Sequence, residues 1–490
     1  MIGAGLGGLG VALRLQGAGH EVTVLDRREL PGGRAYRLRD AGFTWDTGPS
    51  LLTMPWVLEE TFAAGGLDLD REVRLTRLDP LYRIRWAGER RHLDFNGDRD
   101  RLRAEVAKFS ARDAAALDGF LAAVKPIYEH GILAAGRRPF LRARDFAGLV
   151  PTMFRLGAAL PLYRFVARHF EHPRVREAFS FHSLFIGGDP FRVPAIYAAL
   201  VYLQVADGGW YAEGGTYSLV EAMARPLEVR CGAHVERVER SGEGRGGGGR
   251  VRGVALAGGE RIAADAVVSN ADVLSTHELL GRRRPLRRLR PTMSCYLLFL
   301  GTDRRPEGLL HHTLLLGRDY RETIVGVTRG RGLPRELSTY LHAPSRTEPA
   351  MAAHGGDSLY ALLPVPNLAA PIDWAVRERP LRDRLLADYE HGFGMAGLRD
   401  SIRVEHAMTP EDFRSELGAV LGNAFATEPT LGQSAYFRQP NRDRSVEGLY
   451  YVGAGTHPGA GVPGVLLGAE VTSKLIEEDH AARGRTRVAA

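Results

Sequence analysis

The chain is poor in the residues that build disulfide frameworks and thiolate metal sites. Of its 490 residues only two are cysteines, Cys231 and Cys295, and neither has a Cys or His nearby at metal-ligand spacing. We therefore expect neither a disulfide framework nor a zinc site, and we predict that the protein holds no metal. This cysteine usage fits a reducing compartment such as the cytoplasm.

Long apolar runs are also missing. No stretch approaches the ~18 consecutive apolar residues that a membrane-spanning helix needs. The N-terminal residues lack the charged, apolar and small-residue order of a signal peptide. We therefore expect a cytoplasmic protein that does not cross a membrane.

Lysine is scarce as well, so arginine carries most of the positive charge. Only three lysines occur in a chain with a net charge of +7. This skew is more typical of a GC-rich genome than of a phosphate-binding surface, and we expect no nucleic-acid partner. Two arginine clusters, at residues 137–144 and 282–290, leave two alternatives open. They are solvated loops, or they bind anionic lipid headgroups, with each charge contributing about 1 kcal/mol to the free energy of binding.

Glycine, in contrast, is abundant and patterned at the N terminus. Gly3, Gly5 and Gly8 form a G-x-G-x-x-G turn, followed by a predicted helix and a strand at residues 21–25 that ends at Asp26. Glycine permits a tight turn against a pyrophosphate, the helix N terminus supplies N–H donors, and the acid accepts ribose hydroxyls. This order of elements predicts a dinucleotide-binding site.

A second glycine element indicates which dinucleotide is bound. Gly32 and Gly33 precede Arg34, whose planar guanidinium is suited to a second phosphate where small residues let the backbone approach. Enzymes that bind NAD have no need of this element. We therefore predict FAD.

The strand that should precede the first turn is reduced to Met1 and Ile2. In a doubly wound sheet this strand is central, and several missing aliphatic residues at about 1.5–3 kcal/mol each would remove much of a domain's stability. We therefore hypothesise that the natural start lies upstream of Met1.

A similar glycine turn at residues 453–464, between a predicted strand and a helix, lies at the other end of the chain. It can reach the first turn only if the nucleotide-binding domain is discontinuous. We predict an α/β protein with a discontinuous Rossmann-type FAD-binding domain and a second α+β substrate domain. The first domain comprises residues 1–98, 212–290 and 416–490, and the second comprises residues 99–211 and 291–415 and faces the membrane.

Two segments between these turns carry further expectations. Residues 146–170 predict a long apolar helix, which is either buried in the second domain or lies at a membrane interface with its arginines in the headgroups. The Gly-rich residues 241–249 predict a disordered hairpin tip.

Once these patterns are assembled, the chain resembles a known family. The turn at residues 453–464 is similar to the C-terminal signature of bacterial phytoene desaturases, FAD-dependent oxidoreductases related to flavin amine oxidases. Further strings match the same family at residues 179–188, 341–347, 363–367 and 433–438. The resemblance covers essentially the whole chain and implies desaturation of phytoene in carotenoid biosynthesis, by a peripheral membrane protein.

The resemblance also implies roles for particular residues. Gly3, Gly5, Gly8 and Asp26 would hold the ADP part of FAD, with Gly32, Gly33 and Arg34 at the phosphates. Val235 would touch the adenine, although the connection before it is shorter than usual. The flavin end would be lined by Gly455, Val462, Pro463 and Gly464.

Desaturation needs a hydride acceptor, and no side chain can act as one, so the flavin must do so. A catalytic base is not identifiable: His182, His311, His312, His342 and His457 all lie in family-like strings, and His457 is the best candidate. The expected substrate is phytoene, desaturated to products such as lycopene, with a quinone or oxygen as final electron acceptor. Alternatives are another polyene substrate (a diapocarotenoid, a hydroxylated carotenoid or a carotene to be isomerised), or a non-catalytic prenyl-lipid-binding protein.

Overall fold

A computed structural model describes residues 1–241, 248–282, 289–329, 332–353 and 355–488. The centre of the predicted Gly-rich hairpin tip and most of the arginine cluster at residues 282–290 lie outside the described residues.

Strands occur along most of the chain. In chain order they are β1 (Thr23–Leu25), β2 (Arg37–Asp40), β3 (Phe43–Asp46), β4 (Leu75–Arg77), β5 (Tyr82–Trp86), β6 (His92–Phe95), β7 (Trp210–Ala212), β8 (Glu228–Arg230), β9 (Val235–Ser241), β10 (Gly249–Leu256), β11 (Arg261–Ala263), β12 (Val267–Ser269), β13 (Ser294–Thr302), β14 (His312–Leu316), β15 (Thr339–His342), β16 (Asp357–Val365), β17 (Ile402–Met408), β18 (Val446–Glu447) and β19 (Leu449–Tyr451).

The α-helices are concentrated between β6 and β8 and at the two chain ends. In chain order they are α1 (Leu6–Gly17), α2 (Pro55–Ala64), α3 (Leu69–Glu72), α4 (Arg99–Ala107), α5 (Ala111–Tyr128), α6 (Ala143–Ala147), α7 (Val150–Arg155), α8 (Leu162–Val166), α9 (Pro173–Ser180), α10 (Ala199–Asp207), α11 (Tyr217–Ala224), α12 (Val273–Leu279), α13 (Tyr320–Thr328), α14 (Trp374–Ala387), α15 (Leu398–Ser401), α16 (Pro410–Leu417) and α17 (Val462–Val488).

A parallel sheet assembled from distant parts of the chain supports the first glycine turn. β8 pairs with β1, and β12 pairs with β19, both in parallel. Ile2 bridges Leu25 of β1 and Ser269 of β12, also in parallel. The order is therefore β8, β1, Ile2, β12, β19, which joins both chain ends and the middle of the chain. This sheet is of the discontinuous, Rossmann type that the sequence predicts.

Met1 and Ile2 occupy the position of the short first strand. The amide of Ile2 donates to the carbonyl of Val268 at 2.9 Å, and the amide of Gly3 donates to the carbonyl of Leu25 at 2.7 Å. Ile2 is buried against both neighbouring strands. The hypothesis of an upstream segment remains a prediction.

Apolar faces of the first and last helices cover this sheet. Val11 and Leu15 of α1 pack with Val268 of β12 and with Val471 and Leu475 of α17. Because both helices begin at a glycine turn and lie on the same sheet, the two turns are brought to one end of it.

A second, seven-stranded sheet forms the other half of the molecule, in the order β17, β13, β16, β15, β14, β5, β6. It is antiparallel except for β14 and β5, which pair in parallel with Leu314 opposite Ile84. β5 and β6 precede residue 98, the predicted end of the first segment of the FAD-binding domain. Their hydrogen bonds group them with the second sheet, so a division by sheets differs here from the predicted boundary.

The predicted long helix at residues 146–170 is wrong. The chain forms three short helices there, α6 to α8, because Pro151, Gly157 and Pro161 interrupt the helical hydrogen bonding. Residues 142–156 are mostly exposed, whereas Leu162, Phe165 and Val166 of α8 are buried. No helix in the described part of the chain is long and apolar enough to cross a membrane.

Candidate active site

A cavity of about 1020 Å³ lies between the parallel sheet and the seven-stranded sheet. Its size is at the upper limit of the ~300–1,000 Å³ usual for small-molecule sites. One end is walled by the glycine turns and by polar side chains. The other end is walled by apolar side chains of the second sheet and its helices.

The first glycine turn forms an open cradle at the polar end. Gly3 has φ of +91°, and a Cβ on Gly5 would lie 2.7 Å from Nδ2 of Asn270, so neither position accepts a side chain without strain. α1 begins at this point without a side-chain cap. Its first N–H groups are therefore left for a ligand, and Gly5, Leu6 and Gly7 line the cavity.

The second glycine element is hydrogen bonded to the first. The amide of Gly32 donates to the carbonyl of Ala4 at 2.9 Å, and Gly33 has φ of +58°. A Cβ on Gly33 would lie 3.4 Å from Cα of Gly5. Both glycines line the cavity, so the two sequence motifs form one continuous wall.

Asp26 borders the same wall at the end of β1. Its Oδ2 accepts a hydrogen bond from the amide of Ala4 at 2.7 Å, and its Oδ1 accepts one from the amide of Arg28 at 2.9 Å. The carbonyl of Asp26 accepts from the amide of Ala233 at 2.8 Å. This bond brings the start of β9 beside Asp26, and Val235 lines the cavity there. The structure thus places Val235 in the cavity wall beside Asp26, and its contact with the adenine remains a prediction.

Arg34 is held in the cavity wall by a polar pair that the sequence did not reveal. Its Nη2 donates to Oδ1 of Asn423 at 3.2 Å, and Nδ2 of Asn423 donates to Oδ2 of Asp272 at 2.8 Å. Burial lowers the pKa of Arg34, and the charge of Asp272 opposes this shift. Nε of Arg34 has no hydrogen-bond partner among the described residues, so the guanidinium retains a free donor.

The C-terminal turn forms the adjoining wall. Val462, Pro463 and Gly464 begin α17 and line the cavity. Arg438, which is 3% exposed, stabilises the turn from behind. Its guanidinium donates to the carbonyls of Ala454 at 2.5 Å and of Thr456 at 3.2 Å. The string at residues 433–438 contains this arginine, but its spacing gives no sign of the contact.

Two predicted cofactor residues lie behind the cavity wall. A Cβ on Gly8 would lie 2.2 Å from the carbonyl oxygen of Gly3, and a Cβ on Gly455 would lie 2.7 Å from Cγ2 of Val273. Neither glycine lines the cavity. Both allow close packing of the turns, and the structure does not bring them into direct contact with the cavity.

His457, the candidate base, lines the cavity but is fixed by the protein. Its Nε2 donates to the carbonyl of Ala135 at 3.1 Å, and its ring packs edge-on against Phe140 with centroids 4.9 Å apart. Burial lowers its pKa to about 4, so the ring is neutral at pH 7. Nδ1 has no partner among the described residues and is a weakly basic acceptor.

The other histidines singled out in the sequence do not line this cavity. His182 is fully buried, its Nε2 lies 2.7 Å from the hydroxyl of Tyr82, and burial lowers its pKa to about 3. His311, His312 and His342 form a separate cluster next to the cavity wall.

The apolar end of the cavity is long and has few polar groups. It is walled by aliphatic and aromatic side chains from the helical region and from β14 and α13: Leu149, Phe181, Leu184, Phe185, Ile196, Leu200, Leu203, Leu314, Leu316, Ile324 and Val327. Tyr340 of β15 is an exception, since its hydroxyl lies 2.5 Å from Oγ of Ser50, which also lines the cavity.

Comparison with known proteins agrees with this arrangement. The model of the flavin-containing amine oxidoreductase family matches residues 6–476. The chain is 41% identical to a lycopene-forming phytoene desaturase of Pseudescherichia vulneris, over 98% of this chain and 99% of that protein. The chain belongs to the flavin-containing amine oxidoreductase family. It is also 37% identical to a neurosporene-forming phytoene desaturase of Cereibacter sphaeroides, over 99% of this chain and 95% of that one.

A solved structure shares the fold at low sequence identity. An oxidoreductase of Methanosarcina mazei matches with a TM-score of 0.61 and 18% identity, over 96% of this chain and 99% of that chain. The chain is accordingly an FAD-dependent oxidoreductase with an α/β FAD-binding fold. The residues present fit FAD, because the cavity combines a side-chain-free cradle, open helix N–H groups and the free donor of Arg34.

Proposed function

We propose that this enzyme desaturates phytoene to more conjugated carotenes such as lycopene. The observation that carries the proposal is the single cavity that runs from the glycine cradle to a long apolar end. A polyene hydrocarbon offers no polar group to recognise, so a site for it must work by shape and burial. The names of the relatives, which are full-length matches, support the same substrate class.

In this proposal the ADP part of FAD binds at Gly3, Gly5 and Asp26, with Val235 at the adenine. Gly32, Gly33 and Arg34 bind the phosphates. Val462, Pro463 and Gly464 adjoin the flavin ring, whereas Gly8 and Gly455 act indirectly by letting the turns pack.

FAD, when bound, supplies the hydride acceptor for the reaction. The protein holds the polyene in the apolar end, excludes water and keeps nearby groups uncharged. His457 lines the cavity and is neutral, and we propose its Nδ1, which is buried and has no hydrogen-bond partner among the described residues, as the proton acceptor. Loss of a hydride makes the neighbouring C–H of an allylic chain acidic, so a weak acceptor is sufficient. A quinone or oxygen then takes the electrons.

We also propose that the enzyme binds a membrane surface at an entrance patch, made of Phe146, Phe154 and Phe437. Phe154 is 70% exposed and Phe437 is 51% exposed, and Phe146 packs against Phe437 with ring centroids 5.6 Å apart. Leu149, between α6 and α7, lines the cavity. Exposed apolar rings beside the mouth of an apolar cavity fit extraction of a substrate from lipid.

Pigment analysis tests the proposed substrate. Cells that accumulate phytoene and express this chain should produce yellow or red carotenes, and the absorption spectrum counts the double bonds introduced. Unchanged phytoene in cells whose purified enzyme carries FAD would contradict the proposal and favour another polyene.

Vesicle sedimentation tests the entrance patch. Replacing Phe154 and Phe437 by Ser should reduce binding to vesicles of phosphatidylcholine and phosphatidylglycerol by about tenfold or more. The reason is that burial of each exposed ring in the lipid contributes about 1 kcal/mol or more to the free energy of binding. Val376→Ser is the matched control, because Val376 is 62% exposed on α14. Equal loss of binding in both variants would rule out a specific patch.

A further inference from the structure

Three buried histidines meet beside the cavity, at the ends of β14 and β15. His312 and His342 are directly opposite each other in the antiparallel pair, and His311 precedes β14. His312 and His342 are 0% exposed and His311 is 6% exposed. One nitrogen from each ring lies within 4.8 Å of the other two. Such a cluster is costly to bury without partners, because each ring carries two polar atoms.

In two of the rings the same nitrogen, Nδ1, is hydrogen bonded to a hydroxyl group. Nδ1 of His311 lies 2.6 Å from Oγ1 of Thr347, and Nδ1 of His312 lies 2.6 Å from the hydroxyl of Tyr340. Metal-binding histidines commonly donate their second ring nitrogen to an oxygen in this way, which fixes the ring and raises its basicity. The Nε2 atoms are then left to act as ligands.

The Nε2 atoms are short of partners on the inner side of the cluster. Nε2 of His311 and Nε2 of His342 lie 3.1 Å apart, and Nε2 of His312 has no partner among the described residues. Zinc–nitrogen bonds of about 2.0–2.1 Å in a tetrahedron put ligand atoms about 3.3 Å apart. The separation between His311 and His342 is close to that value, and a small shift of His312 would complete three ligands.

An acidic side chain lies close to the cluster. Oε2 of Glu348 accepts from the hydroxyl of Tyr211 at 2.8 Å, and the Tyr211 ring contacts His311 with centroids 4.6 Å apart.

We propose that His311, His312 and His342 bind one transition-metal dication. Three imidazoles without a thiolate suit Zn²⁺, Co²⁺, Ni²⁺ or Cu²⁺ and are a poor match for Mg²⁺ or Ca²⁺, which prefer oxygen ligands. The site is distinct from the FAD-binding region and does not depend on the proposed substrate. It differs from the sequence-based expectation of no metal, which took account only of residues close in sequence.

An occupied site would also orient a hydrogen bond at the cavity. With the ion on Nε2, His312 must carry its proton on Nδ1, so Tyr340 accepts from His312 and donates to Ser50 at the cavity wall. The ion would thus be a structural element that fixes the direction of the hydrogen bond between Tyr340 and Ser50 at the cavity wall.

Metal analysis of the FAD-loaded full chain, purified without a histidine tag, tests the proposal. After growth with added zinc and dialysis against a weak chelator, we expect about one equivalent of Zn²⁺ per chain. Co²⁺ added to the metal-depleted enzyme should give the intense visible bands of a four-coordinate site. Absence of both a bound ion and the cobalt bands, in protein with a normal flavin spectrum, would overturn it and leave a hydrogen-bonded histidine cluster.

Variants identify the ligands. His312→Gln and His342→Gln should retain less than about a tenth of an equivalent, while His20→Gln, which alters a surface histidine paired with Glu477, should retain the full ion. If the cluster variants fail to fold, the metal content and cobalt spectrum of the unaltered enzyme decide the question. Full retention of the ion in a folded His312→Gln variant would place it elsewhere and overturn the assignment.

Discussion

The carboxyl group of Asp46 should make the stability of this enzyme fall as the pH rises. Asp46 is 2% exposed, and its oxygens accept from the amides of Thr216 at 2.9 Å and Tyr217 at 3.3 Å. Burial raises its pKa to about 7, and these two hydrogen bonds only partly oppose the shift. The free energy of unfolding is therefore lower when Asp46 is ionised than when it is protonated.

The sign follows from proton binding. Between about pH 4 and pH 7 the folded state holds the proton on Asp46 more tightly than the unfolded state does, so stability falls as pH rises and levels off above pH 7. With a pKa of about 7 folded and 3.8 unfolded, the loss between about pH 5.5 and pH 8.5 is about 2 kcal/mol.

Thermal unfolding of the FAD-loaded enzyme and of Asp46→Asn measures this loss. Titrations common to both proteins cancel in the difference. For 490 residues an unfolding entropy of about 2.1 cal/mol/K per residue gives about 1 kcal/mol/K, so Tm of the unaltered enzyme should fall by about 2 °C relative to the variant. Asp70→Asn alters an exposed carboxyl group and keeps Asp46, so the difference in Tm between this variant and the unaltered enzyme should not change with pH. Parallel curves for the enzyme and Asp46→Asn would refute the reasoning.

Three further predictions concern the cavity wall. In Gly8→Ala the new methyl would lie 2.2 Å from the carbonyl of Gly3, and overpacking of about 1–3 kcal/mol should weaken FAD binding about 10- to 100-fold by flavin fluorescence titration; Gly119→Ala, with open space around it, should not. Arg34→Lys keeps the charge but loses the planar fork, so FAD should bind about tenfold or more weakly, and unchanged affinity would contradict a phosphate contact. Because His457 has a pKa of about 4, the ratio of kcat in His457→Asn to that of the unaltered enzyme should be constant between about pH 6 and pH 8, and an inflection near neutral pH would contradict a neutral ring.

The parts of the site that were predictable from sequence are the local ones. The turn containing Gly3 and Gly5, its helix and Asp26 lie within 26 consecutive residues, and each follows from steric rules that act over a few positions. The discontinuous sheet was also predictable, because the second glycine turn can reach the first only if both ends of the chain belong to one domain. In that sheet β12, from the middle of the chain, pairs with β19 near its end.

The supporting contacts were not predictable, because they join residues far apart in sequence. Arg34 meets Asn423, which is 389 positions away, and Nε2 of His457 reaches the carbonyl of Ala135, 322 positions away. Isolated residues of this kind form no periodic pattern or motif spacing from which their contacts could be predicted. The histidine cluster was missed for the same reason, since His342 approaches His311 only through strand pairing.

The distribution of charge along the cavity indicates how the work is divided. Along the cavity wall burial raises the pKa of Tyr197, Tyr340 and Tyr360 and keeps their hydroxyls protonated, and at the C-terminal turn it keeps His457 neutral. Charged groups such as Arg34 lie at the glycine-rich end. An enzyme that relied on its own acids and bases would need a titratable group with a pKa near neutral at the reacting carbon. A wall of neutral groups is instead suited to hydride removal by a cofactor, because it gives an uncharged hydrocarbon no competing polar surface and leaves the redox chemistry to the flavin.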